Sequence, residues 1–289
     1  MGLRQVKEAM SASMFAARLL PSFSAAVQMK TGMTAEQVMN LTPQDIKKLK
    51  AKDVSGLALE LLSMEALGKL TARQLSFASK SSLRSISSAS LMALDVNAMR
   101  GLSADQVGSI RSSEIRGITF DHLRKVKPST FAGFSRRQMR SMSANQYWVM
   151  KANQFREVRD DALTGIKAYQ LAELGKKAIS TLDDADVRSL SPRQTSGMYT
   201  NQIYKLQPSA VGALTSKHLK KWDANQLGAL SAKQLQAIDE KALDGLRPRV
   251  LEQLADYKGE VQFSELQREA FSEQQLVALN GEPSISFTY

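Results

Sequence analysis

His122 and His218 are the only imidazoles in the chain, and there is no cysteine. A metal centre needs clustered His, Cys or carboxylate ligands, and these two histidines are far apart in sequence. Serines are plentiful, but a nucleophilic serine needs a histidine and an acid beside it. The densest carboxylates are in "DDADV", Asp183 to Val187. No glycine-rich phosphate loop occurs. The residue types left to do chemistry are cations. Arg84, Arg100 and Arg116 are sixteen residues apart, and Arg124, Arg140, Arg156, Arg188 and Lys220 share a second sixteen-residue lattice. Trp148 stands at the equivalent position of its own segment. Cations in register with an aromatic suit an acidic protein segment, or phosphates with base stacking as a secondary term. The plainer reading is an exposed helical position filled by a good helix former.

Composition narrows the classes. The chain has 289 residues, 43% hydrophobic and 23% charged, with a net charge of +11. That is a globular composition rather than a disordered one. No apolar run reaches the roughly 18 residues that a membrane helix requires, so no membrane span is expected. The absence of cysteine excludes disulfides and thiol chemistry. Charge is unevenly spread. Residues 111–140 hold eight Lys/Arg against Glu114 and Asp121, whereas 251–289 hold seven acids against Lys258 and Arg268. A basic middle and an acidic end point to an acidic protein partner first, to nucleic acid second, and to head-to-tail self-association of copies.

What must position these residues is a repeat. From the pair Leu59 and Leu62 to the pair Leu251 and Leu254, large apolar residues recur in alternating steps of three and five, giving twenty-five octads. Only Ala78 and Thr195 fail to be large and apolar. Three earlier octads, Val38/Leu41, Ile46/Leu49 and Val54/Leu57, precede a phase slip. A one-residue insertion after Leu254 is followed by Phe263, Phe271 and Leu279, again in steps of eight. A single long helix cannot bury such a stripe, because eight residues overrun two turns by about 80°.

The remaining positions show what each octad is. With the second anchor as position 8, position 1 is often Ser, Thr or Asp (Thr71, Ser103, Ser191, Asp223, Ser231) and position 4 often Gln (Gln74, Gln106, Gln194, Gln226, Gln234). Ser/Thr followed three residues later by Gln is a capping box, and apolar residues just before the cap and at N4 form a staple. Pro43, Pro128, Pro192, Pro208 and Pro248 fall at position 2, the first helical residue, where the missing N–H costs nothing. Gly101, Gly117, Gly133, Gly165 and Gly245 are among those at position 7, where a left-handed exit is expected. The fold class is therefore all-α: a solenoid of very short capped helices, eight residues per repeat, held by buried anchors. With two octads per coil, the sixteen-residue lattices would form arginine stripes on one face. Both histidines fall at position 4 and read as glutamine substitutes in the capping box. Asp183 reads as an N-cap, with Asp184 and Asp186 complementing the helix dipole.

At "GLSADQVGSI", "LTPQDIKKL" and "ALSAKQLQAI" the chain resembles bacterial proteins with tandem L-[ST]-x-x-Q-[ILV]-x-x-L octapeptides, and more loosely the short-helix superhelical repeats of mesothelin and stereocilin. The resemblance covers about residues 33–280. It implies a scaffolding or binding role rather than a known reaction, often within large secreted or surface proteins, and the lack of clustered catalytic or metal-binding residues leads to the expectation of no enzyme activity and no cofactor. Between 111 and 182 the sequence departs from the pattern, with Arg111, Lys127, Lys151, Arg159 and Lys167 at the cap position. Three segments result: 1–32, an amphipathic cap or a targeting or export segment; 33–256, the repeat array; and 257–289, acidic C-terminal repeats and cap. Arg18 interrupts any apolar core in the first segment, which argues against a standard signal peptide.

Overall fold

The computed structural model describes residues 32–258 and 263–280. Residues 1–31 of the segment read as a cap or targeting sequence, and 259–262 and 281–289 of the acidic C-terminal segment, lie outside the described residues. Among those described, every regular element is a helix and there is no strand.

The helices form where the capping residues put them. In Ala72–Leu75, Thr71 Oγ1 accepts from the Gln74 N–H at 3.2 Å, and Gln74 Oε1 accepts from the Thr71 N–H at 2.9 Å. The same reciprocal box opens Ala104–Ser109, Pro192–Thr195, Ala224–Gly228 and Ala232–Gln236. Each of the five position-2 prolines is the first residue of a helix. Helices of four to six residues are far too short to persist alone. Burial of the anchors supplies the missing stability, at about 1.5–3 kcal/mol for each fully buried side chain. Even the two irregular anchors are inside: Ala78 is 5% exposed and Thr195 1%. Trp222 is fully buried, and among the described residues its indole N–H has no acceptor.

The chain gathers into two compact units, Met1–Gly133 and Phe134–Tyr289. Within the second, Ala144–Trp148 packs on Ala168–Ala172, which packs on Pro192–Thr195, then Ser216–Leu219, then Glu240–Gly245. Arg136–Ser141, Asp160–Leu163, Asp184–Ser189, Pro208–Gly212 and Ala232–Gln236 form a second column, and Ala152–Phe155, Lys176–Ile179, Thr200–Ile203 and Ala224–Gly228 a third. The first unit repeats the arrangement, for example Lys80–Ser85 on Ala104–Ser109 on Pro128–Gly133. One coil therefore takes three octads, or twenty-four residues. The two-octad coil, the condition under which the sixteen-residue lattices would form stripes, is not the one that forms.

The position-4 glutamines explain the three-octad coil. Gln202 Nε2 donates to Leu171 O at 3.1 Å, Ala172 O at 3.0 Å and Leu174 O at 2.6 Å, while its Oε1 accepts from the Tyr199 N–H at 2.8 Å. One side chain thus opens its own helix and closes the end of a helix one coil earlier, satisfying groups that short helices leave bare. Gln106, Gln170, Gln226 and Gln234 do the same across 28 to 31 residues. Gln267 and Gln275 reach back 29 and 32 residues, which is the one-residue insertion made visible.

The glycine expectation also needs correction. Among the described residues only Gly32 has a positive φ, and the short helices exit through ordinary right-handed or extended backbone. Gly101 and Gly245 are glycines because a Cβ would collide with the backbone carbonyls of Ala72 and Ser216 in the preceding coil. Their octads carry Ala98 and Ala242 at position 4 and wind as 3-10 helices, Ala98–Gly101 and Glu240–Gly245. Where no glutamine bridges the coils, small residues let the backbones touch.

Candidate functional site

The histidines take the glutamine role. The Thr119 N–H donates to His122 Nδ1 at 3.2 Å, so the ring proton sits on Nε2, which donates to Leu94 O at 2.9 Å. His218 repeats this between Thr215 and Leu190. Both are buried and committed to the scaffold.

The carboxylate run caps a helix as its sequence suggests, with Asp183 Oδ1 accepting from the Asp186 N–H at 3.0 Å and Asp186 Oδ2 accepting from the Asp183 N–H at 3.0 Å. Burial, with the Asp183 and Asp160 carboxyls beside it, pushes Asp186 up to about 6, against the lowering effect of its bond to the Asp183 backbone. Among the described residues no group of three His, Asp or Glu side chains is placed to hold a metal ion. None of their helices is long and apolar enough to cross a membrane.

All nine surface residues singled out from the sequence are exposed. The three-octad coil divides them, because residues twenty-four apart share a column and residues sixteen apart do not. In the first unit Arg100 and Arg124 sit on stacked helices, while Arg84 and Arg116 belong to the other two columns. In the second unit Arg140 and Arg188 share a column, Trp148 and Lys220 share another, and Arg156 is on the third. Some are already engaged. Arg188 pairs with Asp184 at 2.8 Å, and Arg124 with Asp121 at 3.5 Å.

The column that carries Arg156 is densely basic over three successive octads, before the exposed acid Asp223 of its next octad. Its octads at 151–158, 175–182 and 199–206 expose Lys151, Arg156, Lys176, Lys177 and Lys205 against a single acid, Glu157. Arg156, Lys176, Lys177 and Lys205 form no ion pair with a described residue. Tyr199 and Tyr204 are 60% and 57% exposed on the same column, and the Lys205 ammonium lies 5.1 Å from the Tyr204 ring centre. Trp148, at 64%, and Tyr169 are exposed on a neighbouring column, where Lys167 lies 5.6 Å from the Tyr169 ring.

Sequence reasoning found Arg156 but missed Lys176, Lys177, Tyr199, Tyr204 and Lys205. The signal was present as octads spaced twenty-four residues apart. The cap-position lysines are part of the same story. Lys151 has no hydroxyl to accept from N3, yet its N–H still donates to Gln154 Oε1 at 2.9 Å. The glutamine half of the box keeps the helix start and frees position 1 to carry charge.

No family model matches the chain, and no curated protein matches it.

Proposed function

We propose that this chain is a non-enzymatic repeat scaffold that holds an extended acidic segment of a partner protein on the Lys151–Lys205 column. The observation that carries this reading is five cations and one acid on three stacked helices, with two exposed tyrosines among them. Stacked helices are about 8–10 Å apart, close to the Debye length of about 8 Å at physiological salt. Successive coils therefore act almost independently on a compact ion and together on an extended polyanion. Tyrosines add contact area at low entropic cost, as interface anchors do. The octapeptide resemblance supports a binding role. It would add a secreted or surface setting in a bacterium, which export of a reporter fused to residues 1–32 tests.

A second reading, single-stranded nucleic acid, is favoured by Tyr199, Tyr204 and Trp148, since bases stack on exposed aromatics beside cations. Binding of a fluorescent polyglutamate, of single- and double-stranded oligonucleotides and of heparin, each titrated with salt, separates the two. The scaffold reading expects polyglutamate binding that is lost in Lys176→Glu/Lys177→Glu/Lys205→Glu. Preference for single strands over every other polyanion near physiological salt would replace it with the nucleic-acid reading. Binding that ignores the triple substitution would overturn both.

A further inference from the structure

The first unit has an open groove of about 710 Å³ between the segment 47–52 and the helix Ala72–Leu75. Lys47, Lys50, Lys52 and Arg73 line it, with Leu49 and Phe77 supplying apolar surface and no acid in the lining. None of the four cations is ion-paired with a described residue. Phe77 is 46% exposed. Such a site fits an apolar side chain carried among carboxylates.

The second unit of the same chain presents that shape. Leu266 on Glu265–Glu269 is 64% exposed, the same as Trp148. Glu265 and Glu269 flank it on one helix, and Glu273 opens the following helix, Glu273–Asn280. All three acids are exposed, and none is ion-paired with a described residue. Among the described residues of the unit, the other exposed large hydrophobic residues are aromatic, and Tyr169 and Tyr204 have a lysine beside the ring.

We infer that the groove of one copy receives the Leu266 face of a second copy, with Glu265 and Glu269 meeting Lys50 and Arg73. This is a heterologous contact, in which the donor copy keeps its own groove and the recipient its own acidic face. Association adds copies head to tail, and the charges that guide it act over about 30 Å at 0.01 M salt and about 3 Å at 1 M. The basic stretch 111–140, which the sequence alone makes the natural acceptor, is not the one used.

Sedimentation velocity of the full chain tests this across protein concentration, at roughly 0.01 M and 1 M salt. At low salt the mass should rise with concentration, and at high salt it should return to the monomer. Lys50→Glu/Arg73→Glu and Glu265→Lys/Glu269→Lys should each stay monomeric at low salt, with circular dichroism unchanged because all four side chains are exposed. Mixing the two variants should restore association, since each then meets a complementary end. A wild-type chain that is monomeric throughout at low salt overturns the inference. So does association that survives either double substitution, which would place the contact elsewhere, or failure of the mixture to associate.

Discussion

Removing one bridging glutamine is the sharpest perturbation of this scaffold. Gln202 is 2% exposed, and Tyr199, its cap residue, forms no side-chain cap bond. In Gln202→Ala the Tyr199 N–H loses its acceptor, and the carbonyls of Leu171, Ala172 and Leu174 lose their shared donor. A buried polar group left without a partner costs about 1–3 kcal/mol. With Leu171 O still accepting from the Leu174 N–H, three groups lose their partner, and because the Tyr199 N–H and Ala172 O are only part-buried the loss should be about 2–5 kcal/mol. Loss of an ordinary cap hydroxyl, as in Ser231→Ala, costs about 1 kcal/mol. Gln202→His should cost little, because His122 and His218 already make the same pair of bonds with an imidazole. Urea melts of the three variants, with amide exchange at Tyr199, measure the differences. Exchange is needed because a repeat array need not unfold in one step. If Gln202→Ala costs no more than Ser231→Ala, or if Gln202→His is as damaging as Gln202→Ala, the two-ended role assigned to the glutamines is wrong.

Three further outcomes follow from the packing and the charges. Gly101→Ala forces a methyl into the Ala72 carbonyl and should cost about 3 kcal/mol or more, since the obstacle is backbone rather than a mobile side chain; a melt within experimental error of the wild type would refute the close-approach account. Leu230→Asp should fray the second unit locally, whereas Ser231→Ala stays mild, and exchange rates around 219–238 report it; equal losses would contradict the dominance of anchors over caps. For Asp186, held near 6 in the fold against an unfolded value of about 3.9, the protonated form is the one the fold favours. Its stabilisation is full below about pH 4 and is lost as pH rises through 6. A shift of that size is worth ~3 kcal/mol at most, and solvent screening at a half-buried group reduces it to about 1 kcal/mol. Asp186→Asn should therefore raise the midpoint at pH 7 and flatten the profile between pH 4 and 7; an unchanged slope would remove Asp186 as its source.

Much of the architecture is legible in the sequence because each octad states its own boundaries. Thr71, Gln74 and Leu75 say where a helix starts and which residue it buries, and Pro192 and Pro248 fix the phase. Those are local signals read within eight residues. The coil is a non-local property. It is set by a glutamine meeting carbonyls 28 to 31 residues back, and nothing within one octad reveals that distance. The glycines misled for the same reason. Gly101 looks like a helix exit locally, but its requirement comes from Ala72 in another coil. The candidate surface inherited the error. Exposure of Arg84 through Lys220 follows from position 6, but which cations stand together depends on the number of octads per coil. The acidic environment of Asp186 was hidden likewise, because Asp160 reaches it from the coil before.

The three-octad coil decides both the fold and which cations share a surface, and the chain contains no native cysteine to complicate labelling. Paired spin labels at Arg156→Cys and Ser180→Cys, compared with Arg156→Cys and Ala172→Cys, test it directly. The pair twenty-four residues apart should lie on helices about 8–10 Å from one another and show strong dipolar broadening, and the pair sixteen apart should show much less. The opposite ranking would restore a two-octad coil, put the arginines back on one stripe and remove the basis for the Lys151–Lys205 surface.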